Sequence, residues 1–262
     1  RCCTVRPNAM ADVKSYRLSL RRACAGLLLP FLLFAEPAQA DPGYYLVTVY
    51  EDVGRARIDY RYWTVAPKGG DEVVWPEIGI GYGVSPRWYT ELFSSFIGSN
   101  IPQSRPSTLN WQNDFLLTQG QYDVDVALHT NLVIDQTGAD ANALEFGPVL
   151  QTDVGRVQLN GNLVLEQSLA GPSGRVPQLK YQWQAKYRWN AALHTGIQGF
   201  GELGPWNQWA PEGKQSHRWG PVVSGSWTLT GQHSVEYHAA YLRGRVYSKD
   251  ADMLSIRLQY RF

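Results

Sequence analysis

Residues 253–262 read MLSIRLQYRF, with Leu254, Ile256, Leu258, Tyr260 and Phe262 alternating strictly with Ser255, Arg257, Gln259 and Arg261. Residues two apart in a strand share a face, so this stretch has one wholly apolar side and one wholly polar side. The same period recurs upstream. In residues 54–66, Ala56, Ile58, Tyr60 and Tyr62 oppose Arg55, Arg57, Asp59 and Arg61. In 155–168, Val157, Leu159, Leu163 and Leu165 oppose Gln158, Asn160, Asn162 and Glu166. In 177–190, Leu179, Tyr181, Trp183 and Tyr187 oppose Lys180, Gln182, Gln184, Lys186 and Arg188. No segment beyond Asp41 carries a sustained 3.6-residue apolar period.

Such segments number twelve, near 54–66, 73–84, 87–98, 107–119, 121–136, 142–152, 155–168, 177–190, 191–203, 215–230, 232–247 and 251–262. The connections between them alternate. Those near 67–72, 98–106, 136–141, 168–177 and 204–216 are longer and rich in Gly, Pro, Asp and Asn, whereas those at 85–86, 120–121, 153–155, 189–191 and 230–232 are tight. An even number of antiparallel strands with short turns at one rim and long loops at the other predicts an all-β antiparallel transmembrane β-barrel of about 12 strands (range 10–14). Their length, roughly 10–14 residues, suits a tilted bilayer crossing. A soluble sandwich also alternates, so the discriminating signals are charge in mid-strand on one face and aromatics near the strand ends on the other. Trp63, Tyr82, Trp88, Trp111, Tyr122, Trp183, Trp189, Trp219, Tyr241 and Tyr260 are assigned to that interfacial belt. The composition agrees, with Trp 10, Tyr 15 and Gly 25 against Met 2 and a mean hydropathy of only −0.31.

The first forty residues have a different character. Residues 1–9 precede Met10 and read as leader. Residues 10–40 read as a cleavable signal peptide, with Lys14, Arg17, Arg21 and Arg22 as the basic region, CAGLLLPFLLFA (24–35) as the apolar core and Ala38-Gln39-Ala40 as the cleavage site. That core is shorter than the ~20 residues of a membrane-spanning helix. Removal takes away Cys2, Cys3 and Cys24, hence every thiol. Six basic and two acidic residues leave as well, so the formal net charge of +1 falls to −3. A near-neutral chain with no basic run gives no reason to expect a nucleic-acid partner. Residues 41–53 could be a periplasmic extension, a partial plug or a thirteenth strand; the even strand count favours the extension, with the barrel over 54–262.

The polar face places Arg55, Arg57, Asp59 and Arg61 of the first strand in the lumen. Glu77 and Glu91 follow from the second and third, Asp123, Asp125 and His129 from the fifth, Lys180, Lys186 and Arg188 from the eighth, Glu236 and His238 from the eleventh, and Arg257 from the twelfth. Two readings stay open. The charges form an ion-pair network that fills a narrow barrel, or they line a polar path with opposed basic and acidic walls. In the third strand Tyr89, Phe93 and Ile97 fall inside if Trp88, Leu92 and Phe96 face lipid, which would put apolar surface in the lumen. Catalysis would need a His beside a Ser or acid at one rim; Ser216–His217 points to opposite faces, and Glu236 and His238 share one. The reading is therefore passage of a small solute without catalysis, cofactor or metal, with a closed structural or partner-binding barrel and an outer-membrane lipid-modifying enzyme as the alternatives.

The closing strand resembles the carboxy-terminal signature of bacterial outer-membrane proteins. That resemblance implies that Leu258, Tyr260 and Phe262 are read by the barrel-assembly machinery, with outer-membrane lipid around the barrel and the cell outer membrane as location. EIGIGYGVSPRWYTELF (77–93), EFGPVLQTDVGRVQLNGNLVLE (145–166) and the closing strand also resemble the outer-membrane family linked to the meta pathway of phenol degradation, which implies passage of a small apolar or aromatic solute.

Overall fold

The computed structural model describes residues 45–49, 53–169, 176–246 and 248–262. The leader and signal-peptide assignments lie outside these residues. Twelve strands follow in order: β1 (Ala56–Pro67), β2 (Val73–Ser85), β3 (Trp88–Ile97), β4 (Arg105–Leu116), β5 (Asp125–Asp135), β6 (Ala143–Val154), β7 (Val157–Ser168), β8 (Gln178–Asn190), β9 (Leu193–Pro205), β10 (Ser216–Thr228), β11 (Ser234–Val246) and β12 (Lys249–Arg261). Each pairs antiparallel with its sequence neighbours, and β1 pairs with β12 to close the barrel. Across that seam Ile58 faces Tyr260 and Arg61 faces Arg257. The seam ends on a reciprocal pair of bonds, Phe262 N–H to Ala56 O at 3.0 Å and Ala56 N–H to Phe262 O at 3.1 Å. Among the described residues no strand edge is left to face lipid, as a bilayer requires.

Burial follows the period-two pattern, but with the polar side inside. In β1, Arg57, Asp59 and Arg61 are buried whereas Ile58 is 44% exposed. Ile80 (58%), Leu92 (48%), Leu163 (49%) and Leu258 (45%) are likewise exposed on the outer face. A continuous apolar exterior around a polar interior is the inverse of a soluble sheet protein and matches a hydrocarbon surround. Strands of ten residues (β3) to thirteen (β2) are long enough for a tilted crossing. We expect Leu163→Arg to cost about 2–4 kcal/mol of barrel stability. Denaturant unfolding in lipid vesicles, read by tryptophan emission, measures this; a change below ~1 kcal/mol would mean that this face is wet.

Three placements differ from the sequence reading. The β4–β5 connection spans 117–124 and is not tight: Asp125 accepts from Thr118 Oγ1 at 3.0 Å and from Gly120 N–H at 2.6 Å, so its carboxylate ties off a loop. Asp123 and Tyr122 therefore sit exposed in that loop, off the lumen wall and off the belt. Trp63 shares parity with Arg61 and is buried inside, stacked on Trp75 with centroids 4.0 Å apart and 5° between planes. Residues 45–49 lie within the barrel and not outside it, because side-chain amides on the wall bond their backbone.

Two strands carry the same device, Gly147-Pro148 on β6 and Gly220-Pro221 on β10. Pairing with the following strand skips these residues, between Phe146↔Leu165 and Val149↔Asn162 and between Trp219↔Arg243 and Val222↔Ala240. Proline has no N–H to give to the ladder. The glycine beside it lets the strands approach: a Cβ on Gly147 would sit 1.9 Å from the Leu163 carbonyl oxygen, and on Gly220 2.0 Å from that of Tyr241.

Candidate functional site: the lumen and the segment inside it

One wall of the lumen is built around Arg61. Its guanidinium meets Asp59 Oδ2 at 3.0 Å through Nε, Glu91 Oε1 at 2.6 Å through Nη2 and Glu77 Oε2 at 3.7 Å through Nη1. Arg257, from β12, donates to the same Asp59 Oδ2 at 2.8 Å. The other oxygens of Glu91 and Glu77 take hydroxyl donors, Tyr89 to Glu91 at 2.7 Å and Ser95 to Glu77 at 2.8 Å. Tyr89 and Phe93 do lie inside, but the arginines cover their faces: Arg57 is 4.4 Å from the Tyr89 centroid and Arg61 4.4 Å from that of Phe93. They act as plates for cations more than as a pocket for an apolar solute. Gly81 makes room for this stack, since a Cβ there would fall 2.0 Å from the Tyr89 hydroxyl. Ile97 lies past the register shift between Ser95 and Phe96 and is half-buried.

The other charges also pair close to their own strands. Lys180 on β8 meets Glu166 in a short contact and Glu145 at 3.4 Å, and Asn131 donates to Glu145 at 2.9 Å. His129 Nδ1 is 2.6 Å from Asp114, which also accepts from Gln112 at 2.6 Å. Arg218 meets Glu202 at 2.6 Å, a buried pair that the sequence reading did not single out. At the turn-side rim Arg188 meets Asp153 at 3.2 Å, and Arg55 is half-buried.

Glu236 and His238 do not form a dyad: Glu236 accepts from Arg261 at 2.7 Å, and the His238 ring lies 2.9 Å from Gln198 Oε1. His217 faces Tyr181 Oη at 2.8 Å and Gln215 Oε1 at 2.9 Å, away from Ser216.

Residues 45–49 cross this interior as an extended segment. Tyr45 stacks on Arg61, 3.9 Å from guanidinium carbon to ring centroid, and stands edge-on to Phe93 at 6.4 Å. Its hydroxyl donates to Gln112 Oε1 at 3.3 Å. Gln182 Nε2 donates to Tyr45 O at 3.2 Å, Gln182 Oε1 accepts from Val47 N–H at 3.3 Å, and Asn162 Nδ2 donates to Val47 O at 2.9 Å. Tyr45, Val47 and Val49 pack with Ala127 and Val149 of β5 and β6, with Leu116 against them. Leu46 and Thr48, with Tyr45, line a cavity of about 190 Å³. Lys186, Glu236, His238, Arg257 and Arg261 line that cavity, so it holds both signs of charge.

Towards the long-loop rim the lining becomes apolar. Trp63, Val65, Phe200, Val222, Leu242 and Met253 form one inward cluster, with Trp75 packed against it. Parity of the polar strand faces could have located it: Trp63 follows Arg61, Phe200 follows Gln198, and Met253 precedes Ser255, each by two.

Among solved structures the barrel is similar to a NanC porin, at TM-score 0.54 and 13% identity over 78% of this chain and 98% of that one. It is equally similar to an outer-membrane channel from Pseudomonas putida F1, at TM-score 0.54 and 13% identity over 85% and 99%. At such identity the likeness is one of fold. No protein-family model and no curated protein matches the chain, so the link to the phenol-pathway family stands as a resemblance of three segments.

Proposed function

We propose that the chain is an outer-membrane channel that passes a small solute passively, and that residues 45–49 hold its lumen narrow. The observation that carries this reading is the divided interior. The segment is held across the lumen by a few hydrogen bonds of 2.9 to 3.3 Å, beside a cavity of about 190 Å³ lined by charges of both signs. A protein core would be packed there without a gap of that size. The inward apolar cluster towards the long-loop rim supports an apolar or aromatic solute as the finer reading. Catalysis has no comparable support, because the candidate histidines bond to amides, a tyrosine or an aspartate in place of a nucleophile.

A second reading has its own observation. The charges pair locally, Arg61 with three carboxylates and Lys180 with two, as a closed structural barrel would arrange them. Planar-bilayer recording separates the two. The double variant Tyr45→Ala, Val47→Pro removes the stacked ring and the main-chain N–H that Gln182 accepts from the segment, while leaving the barrel wall intact. Its single-channel conductance is expected to exceed that of the unsubstituted chain several-fold, with faster liposome swelling in small aromatic solutes. A folded, heat-modifiable double variant that passes no current would favour the closed barrel.

A further inference from the structure

The contacts that hold residues 45–49 are directed at main chain. Along an extended strand the C=O of one residue and the N–H and C=O of the residue two further on point to the same side. Gln182 bonds the first two of these on Tyr45 and Val47, and Asn162 bonds the third. Asn162 Nδ2 also donates to Gln182 Oε1 at 2.8 Å, which fixes the orientation of that amide. Gln182 and Asn162 are buried, at 4% and 2% exposure. A side-chain amide carries the same donor and acceptor as a peptide group, so the pair stands in for a neighbouring strand and recognises any extended backbone.

Side-chain selection is confined to alternate positions. The ring at Tyr45 lies between a guanidinium face and the Phe93 edge, with a glutamine acceptor at its phenol end. The Val47 side chain meets small aliphatic wall residues, whereas Leu46 lines the cavity.

We infer that this clasp is the channel's solute site, that it takes short extended peptides with an aromatic residue two positions before an aliphatic one, and that residues 45–49 occupy it in place of the solute. The inference deepens the channel reading and rests on it for the word solute; as a binding site it stands on the geometry alone. A tethered occupant competes at an effective concentration of order millimolar, so the site in the unsubstituted chain is largely filled.

The test uses the full chain refolded in detergent, with N-acetyl-Tyr-Leu-Val-amide as probe and calorimetry as readout. The Tyr45→Ala, Val47→Pro variant is expected to bind the probe at least about tenfold more tightly than the unsubstituted chain. Adding Gln182→Leu, or methylating the valine nitrogen of the probe, is each expected to weaken binding about tenfold, since each strips a buried partner from the same bond. Should Gln182→Leu prevent folding, the methylated probe alone makes the test.

Binding that ignores both changes, or no binding to a folded released variant, overturns the peptide site. If that variant conducts yet does not bind, the channel reading survives and the peptide site falls. If it binds yet passes no current, the site survives and the channel reading falls.

Discussion

Arg61→Leu is expected to lower the unfolding free energy of the barrel by about 3–5 kcal/mol, the cost of removing one partner from a buried ion cluster. Arg61 is 2% exposed and serves Asp59, Glu77 and Glu91 together. Without it Glu91 keeps the Tyr89 hydroxyl and an Arg257 contact at 4.0 Å, and Glu77 keeps the Ser95 hydroxyl. Arg61→Lys should recover little, because a single ammonium cannot present the planar fork that reaches three carboxylates. Arg61→Leu combined with Glu91→Leu should recover part of the loss, since it withdraws one of the stranded charges. Denaturant titration in vesicles measures all three. A loss under ~1 kcal/mol for Arg61→Leu would mean that water, and not the guanidinium, satisfies these carboxylates.

Gly220→Val is expected to cost at least about 3 kcal/mol, at or beyond the upper end of overpacking, and to leave much of the protein without the heat-modifiable folded band on gels. The cause is a backbone atom and not a yielding side chain: the first added carbon would lie 2.0 Å from Tyr241 O and 3.1 Å from Leu242 Cα. Relief would require β10 and β11 to part beside the ladder gap at Pro221, where pairing is already interrupted. Gly161→Ala is the matched control, a mid-strand glycine on β7 with nothing within 4 Å of the new carbon. It should be neutral or slightly stabilising. Equal losses at the two positions would remove the close approach as the explanation.

Much of this architecture is visible in residue parity. The alternation around Ile58 and Arg57, repeated through Leu163 and Asn162 to Leu258 and Arg257, sets the facing, and the alternating connection lengths set the strand count. Parity also places Arg61, Glu91 and Lys180 inside, although not which carboxylates each would meet, because partners on neighbouring strands depend on register. Trp63 was misplaced where residue type overrode parity: a tryptophan near a strand end looks interfacial, yet two residues after Arg61 it faces the lumen. Asp123 was misplaced because Tyr122 and Val124 continue an apolar alternation through a loop, and nothing local shows that the Asp125 carboxylate turns back to cap it. Residues 45–49 were out of reach for a different reason. The even strand count concerns edges of the sheet, whereas this segment bonds to amide side chains and joins no ladder.

The closing seam fixes how quickly such a fold can form. Hairpins from β1–β2 to β11–β12 assemble from strands adjacent in sequence, but the Arg257–Asp59 bond joins residues 198 apart. Closing so long a loop carries an entropic penalty before any seam bond forms, and high contact order slows folding. Until then the free edges of β1 and β12 expose unpaired backbone groups that hydrocarbon cannot satisfy. The slow phase of unassisted refolding should therefore report β1–β12 registration, and a catalyst of this barrel's assembly would act chiefly by holding those two edges until they meet.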